Sequence, residues 1–268
     1  TGISTEANAS TTYSKTATGA SNVMLTASDG TWSVAVSALN TDLGNDIKYA
    51  GALTVTGITD EVAALTDYTT AKTGATTNTL TADGNWSLAV ATLDSALSAG
   101  VRLAGALTVT GITSGSETSA LTAYTTAKTG ATTNTLTADG TWSVAATALD
   151  TALTAGVRLV GALTVTGIAS GNETAALAAY TDALTGSTSV TLTASDTNWS
   201  VAAATLDTAL AAAVRLNGDL TVTDIASDDE AGASSTYSKT ATGASNVILT
   251  ASDGTWSVAA SALNIDLG

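Results

Sequence analysis

The chain has 268 residues, carries 8 basic and 23 acidic side chains for a net charge of −15, and contains no Cys, His, Pro or Phe. Without His or Cys it lacks the usual general base, soft metal ligand and thiol nucleophile; only carboxylates, hydroxyls and a few amines remain, and it reads as a non-enzyme without a cofactor. Its basic residues stand singly, which excludes a phosphate-binding cluster and hence nucleic acid as a partner, and no apolar run approaches the about 18 residues of a membrane span.

Thr supplies 55 of the 268 positions, and with Ala, Val and Leu in alternation this is the composition of pleated sheet. Trp occurs only at 32, 86, 142, 199 and 256, at intervals of 54, 56, 57 and 57 residues, so the chain is a tandem repeat. Five modules are expected, at 1–50, 51–104, 105–160, 161–217 and 218–268, the first lacking its leading strand and the last its return strand. Thr1 does not begin a signal peptide, so the sequence reads as a mature product or as a segment of something longer.

Each module opens on a strand such as Gly-Ala-Leu-Thr-Val-Thr-Gly-Ile at 51–58, with Leu and Val on one face and Thr on the other. A polar, variable passage follows, then a Tyr at 13, 68, 124, 180 or 237, lying 18 or 19 residues before its Trp. Residues 64–72 have the Ala content of a helix. The matching segment 11–18 is rich in Thr, which favours strand for both. The stretch Thr-Leu-Thr-Ala-Asp-Gly-Asn-Trp-Ser-Leu at 79–88 then reads as a β-hairpin turning at Asp-Gly, with Leu80, Trp86 and Leu88 on its buried side. Leu93 and Leu97 suggest a helical turn crossing the sheet end, and 101–109 a long return strand bent at Gly105. No linker separates the modules, so strands are expected to be shared between neighbours.

The run Leu136-Thr137-Ala138-Asp139-Gly140-Thr141-Trp142-Ser143-Val144, followed by a Leu-containing crossing and a return strand, resembles the second half of the bacterial immunoglobulin-like modules found in tandem in giant surface adhesins and extracellular filament proteins. That resemblance implies an all-β array of small Ig-like β-sandwich modules, an extracellular or cell-surface location, and a mechanical or adhesive role.

Residues 12–44 and 236–268 differ at only three of 33 positions, Met24/Ile248, Val36/Ala260 and Thr41/Ile265, so a period of four modules lies over the single one. The expected function is therefore a self-associating structural repeat of an extracellular filament, tube or appendage, joined head to tail by strand complementation. The alternative is an adhesin stalk or a glycan- or cell-binding repeat module. The repeat core is expected at Trp32, Trp86, Trp142, Trp199 and Trp256 with Tyr13, Tyr68, Tyr124, Tyr180 and Tyr237. Asp29, Asp83, Asp139, Asp196 and Asp253, each three before a Trp, read as turn formers. Asp228, Asp229 and Glu230 form the one dense acidic group and are the only calcium candidates. Lys48, Arg102, Arg158 and Arg215, each 16 after a Trp, suggest a fixed ion pair with an Asp.

Overall fold

The protein is described by a computed structural model covering Ile3, Thr12, Tyr13, Thr18 and residues 23–260, the side chain of Glu230 excepted. Its strands are β1 (Val23–Ala35), β2 (Ile47–Ile58), β3 (Thr77–Ala82), β4 (Trp86–Ala89), β5 (Val101–Ala104), β6 (Ala106–Ile112) and β7 (Thr133–Ala138). They continue as β8 (Trp142–Ala145), β9 (Val157–Val160), β10 (Ala162–Ile168), β11 (Ser189–Ala202), β12 (Val214–Ile225), β13 (Asn246–Ala251) and β14 (Ser257–Ala259). Nine-residue crossing helices lie at Val36–Gly44, Val90–Ser98, Ala146–Thr154 and Ala203–Ala211. A seven-residue helix and a one-turn helix link the repeats, as at Glu61–Asp67 and Thr70–Thr73.

Two compact units form, one of Thr1–Ile112, Ala123–Leu136 and Ala155–Val157, the other of Thr113–Thr122, Thr137–Thr154 and Arg158–Gly268. In the first, β1-β2-β3-β5 make one sheet, and β4, β6 and β7 neighbour one another in another. In the second, the order is β8-β10-β11-β12-β13-β14. Pairing is parallel throughout, except that β14 runs antiparallel to β13. The protein is therefore α/β, built from parallel sheets and crossing helices, and the expected all-β Ig-like β-sandwich is not formed.

Two local choices account for the difference. Segment 61–67 is helical because the Asp60 side chain accepts the Ala63 amide at 3.1 Å as an N-cap, while Ala64 and Leu65 turn inward and are buried. The following turn ends at Gly74, whose φ of +79° puts it in the left-handed region that stops helices. Thr12, Tyr13 and Thr18 are themselves helical; the rest of the Thr-rich segment 11–18 lies outside the described residues.

The Asp-Gly stretch is the second choice. In β1 it is a bulge inside one continuing strand: Thr26 faces Ala50 and Thr31 faces Ala52, so residues 27–30 stand opposite Gly51 alone. In β11, residues 194–197 stand opposite Gly218 in the same way. At Gly51 φ is +104°, and a Cβ there would lie 2.2 Å from the Gly30 carbonyl oxygen, so glycine is required. In the second and third repeats the stretch separates β3 from β4 and β7 from β8, and no hairpin forms.

Alternation along the strands does hold. Leu80, Trp86, Leu88, Val101, Leu103, Leu107 and Val109 are buried, while Thr79, Thr81, Ser87, Arg102 and Thr108 between them are exposed or half-exposed. Right-handed crossovers between successive parallel neighbours place every connection on one side of a sheet, and there Leu93 and Ala96 of the crossing helix are buried. Each fully buried Leu or Val adds about 1.5–3 kcal/mol relative to exposure.

Candidate functional site

Thr and Ser hydroxyls dominate the open sheet faces, and polar side chains bond one repeat to the next beneath them. The Tyr68 hydroxyl donates to Asn40 Oδ1 at 2.5 Å, Tyr124 to Asp94 at 2.7 Å, Tyr180 to Asp150 at 2.6 Å and Tyr237 to Asp207 at 2.8 Å. In each case the acceptor lies on the crossing helix of the preceding repeat, eight residues after its Trp. A second link repeats beside it, where the hydroxyls of Thr70 and Thr126 donate to the carbonyls of Ala99 and Ala155 at 3.0 and 2.9 Å. The residues that the spacing put in one core with Trp are thus buried rings whose hydroxyls bond adjacent repeats.

Burial, then the hydrogen bond and charge of the partner Asp, push the hydroxyl pKa of Tyr124, Tyr180 and Tyr237 above the ordinary tyrosine value. The folded state therefore keeps a proton that an unfolded Tyr releases near about pH 10. The resulting stability is complete below that pH and is lost as pH rises through the folded values. Circular dichroism during denaturant titration from pH 8 to 12 is expected to show constant stability to about pH 9.5 and a steady fall above about pH 10. Tyr→Phe at all three positions is expected to flatten that fall; an unchanged alkaline slope would remove these hydroxyls as its origin.

Trp binds the strand that follows. Indole Nε1 of Trp32, Trp86, Trp142 and Trp199 donates to the carbonyls of Ala50, Ala104, Val160 and Asn217 at 3.2, 3.0, 3.0 and 3.0 Å. Each acceptor stands just before the bend glycine, and all four rings are at most 2 % exposed. Trp256 is half-exposed and donates instead to Ser227 at 3.0 Å. Tyr13 is 42 % exposed, unlike the other four Tyr of its set.

The recurring cation does something other than pair with an Asp. Arg102, Arg158 and Arg215 donate through Nη1 to the carbonyls of Leu97, Leu153 and Leu210 at 3.4, 3.2 and 3.4 Å, near the C-terminal end of each crossing helix, where the helix dipole favours positive charge. Lys48 reaches the Ala71 carbonyl at 3.5 Å.

The Asp residues before Trp form local turns: Asp29 accepts the Thr31 amide at 3.0 Å, Asp196 that of Asn198 at 3.1 Å and Asp253 that of Thr255 at 3.0 Å. The Thr31 amide holds the Asp29 carboxyl below its ordinary pKa, and the Thr255 hydroxyl does so for Asp253.

Two buried polar sites carried no recognised signal. Asn78, fully buried, donates to Thr73 Oγ1 at 3.0 Å and to the Tyr68 carbonyl, and Asn134 repeats this with Thr129 and Tyr124. Their sign in the sequence was an amide at the buried parity of a strand, where later repeats have Val190 and Val247. Asp42 and Tyr49, also buried, bond to each other in the first repeat alone.

Among the described residues, no three acidic side chains gather to hold a metal, Asp228 and Asp229 included; the side chain of Glu230 lies outside them. No described helix is long and apolar enough to cross a membrane. At Lys239, Asn246 and Asp219 an amine, an amide and a carboxylate bond in series at 3.3 and 2.8 Å, but all three are exposed, so the amine has no apolar pocket of the kind that activates lysine nucleophiles. What the geometry defines is an α/β repeat protein whose recurring polar groups bind repeat to repeat. No protein-family model, curated protein or solved structure matches the chain.

Proposed function

We propose that the chain is a structural repeat segment of an extracellular filament, tube or surface appendage that associates with further copies of itself. The observation that carries this reading is the repeated Tyr–Asp/Asn bond: at each junction the same hydroxyl holds the same helix position of the preceding repeat. Extension then needs no new interaction, only another repeat. The return of 30 identical residues out of 33 after four repeats fits a protein selected for length, and the net charge of −15 favours solubility and keeps copies from collapsing together without order. An adhesin stalk with binding loops is the competing reading. The loop at 113–116 speaks against it, since Gly115 donates its amide to the Glu117 carboxylate at 2.7 Å and the loop closes on itself.

Electron microscopy at low protein concentration decides between them. Ordered filaments or tubes whose axial period matches four repeats are expected. Dispersed rods without order would overturn the filament reading in favour of a stalk.

A further inference from the structure

The near-identical segments 23–35 and 247–259 fold in two ways. In the first, β1 runs straight through its bulge and pairs along its length with β2: Met24 faces Lys48, Leu25 faces Tyr49, Thr26 faces Ala50, and beyond the bulge Trp32 faces Leu53. In the second, the chain stops after β13, turns at 252–255 and returns as β14, where Ile248 faces Ala259, Leu249 faces Val258 and Thr250 faces Ser257. Ile248, Leu249 and Thr250 are the counterparts of Met24, Leu25 and Thr26. Strand β14 therefore occupies the edge that, in the first repeat, receives Lys48-Tyr49-Ala50 of a parallel strand.

The rest of that receiving site is ready. The Asx turn that opens the bulge is the same in both copies, Asp29 with Thr31 and Asp253 with Thr255, each at 3.0 Å. Gly30 presses on Gly51, but a Cβ at its counterpart Gly254 would meet nothing within 4 Å. Trp32 is 2 % exposed with its Nε1 bonded to the incoming strand, while Trp256 is half-exposed and bonded back to Ser227 at 3.0 Å. Strand β14 has only three residues, against twelve in β2.

We propose that the 246–259 hairpin is a displaceable plug, and that the edge of β13 accepts a parallel strand of the Ile47–Ile58 sequence from a second copy of this repeat chain. On binding, β14 leaves the edge, residues 256–259 straighten along the incoming strand, and Trp256 closes over it as Trp32 does. The plug meanwhile shields an edge that would otherwise pair indiscriminately. The inference deepens the filament reading by naming the contact. It can fail by itself, since filaments joined by other surfaces would still show an axial period.

The test adds a synthetic peptide of residues 45–58 to the full chain. Trp256 is the exposed indole among five, so its emission should move to shorter wavelength as the labelled peptide gains anisotropy; a scrambled peptide should do neither. Because the chain has no Cys, Ile248→Cys with Ala259→Cys places a disulfide across the antiparallel pair and pins the plug. Oxidised, that variant should bind the peptide at least tenfold more weakly than when reduced. No binding by the wild-type chain, or equal binding by the two redox forms, would overturn the proposal. Hydrogen exchange at 248–250 and 257–259 on the unmodified chain reads the same displacement without a variant.

Discussion

Tyr49→Phe is expected to destabilise the first repeat by about 3 kcal/mol, although it removes a single oxygen. Asp42 is 3 % exposed and Tyr49 1 %, and the Tyr49 hydroxyl donates to Asp42 Oδ2. The other carboxylate oxygen, Oδ1, is buried with no hydrogen-bond partner. Phe keeps the ring and its edge contact with Trp32, at a centroid distance of 4.9 Å, so packing changes little and the loss falls on the buried carboxyl group. The other repeats show what this site looks like without a charge: Ala96 with Leu103, Ala152 with Leu159 and Ala209 with Leu216, all buried. Asp42→Ala combined with Tyr49→Leu is therefore expected to match the wild type or exceed it by about 1–4 kcal/mol. The two changes couple strongly, as side chains in contact do. Hydrogen exchange along Ile47–Ile58 and Val36–Gly44 reads both effects locally, which suits a repeat array whose global unfolding need not be all-or-none. A double variant no more stable than Tyr49→Phe would show that the buried carboxylate was not the source of the cost.

That pair also marks where sequence reading stopped. Periodicity identified the buried faces, because Leu80, Trp86, Leu103, Leu107 and Val109 alternate with hydroxyl or cationic residues whatever their neighbours. It could not give the direction of pairing. A hairpin and a bulged strand between parallel partners bury the same alternate residues, and the Asp29 and Asp253 turns use the same contacts in both outcomes. What distinguishes them is the strand that follows, which lies about 20 residues away in the sequence. The helices were closer to hand. Asp60 before Ala64-Leu65 is an N-cap before an inward pair, but the Thr-rich segment 11–18 outweighed it. The Tyr–Asp bonds were legible as a spacing, since Asp94, Asp150 and Asp207 each precede a Tyr by 30 residues. They went unread because each Tyr was assigned to the Trp that follows it rather than to the helix before it.

Trp86→Ala is expected to cost about 3–5 kcal/mol, and Trp256→Ala no more than about 1–2 kcal/mol, though both residues occupy the same motif. Trp86 is fully buried between Leu80 and Leu107 positions that face the same interior, and its indole binds Ala104 at 3.0 Å on the next strand. Deleting it opens a cavity and strands that carbonyl. Trp256 is half-exposed, its ring meets no following strand, and its one bond goes to a carbonyl in an exposed loop. The difference between the two costs therefore measures what the neighbouring strand contributes to the motif, not what the motif contains. Chemical denaturation of the two variants, followed by hydrogen exchange around each site, supplies the comparison. Equal costs would mean that the hairpin packs Trp256 as firmly as the parallel strand packs Trp86, and a plug that firm would not yield to an incoming strand. A small cost at Trp256 that grows when the 45–58 peptide is present would tie the two conformations of one sequence to the same missing neighbour.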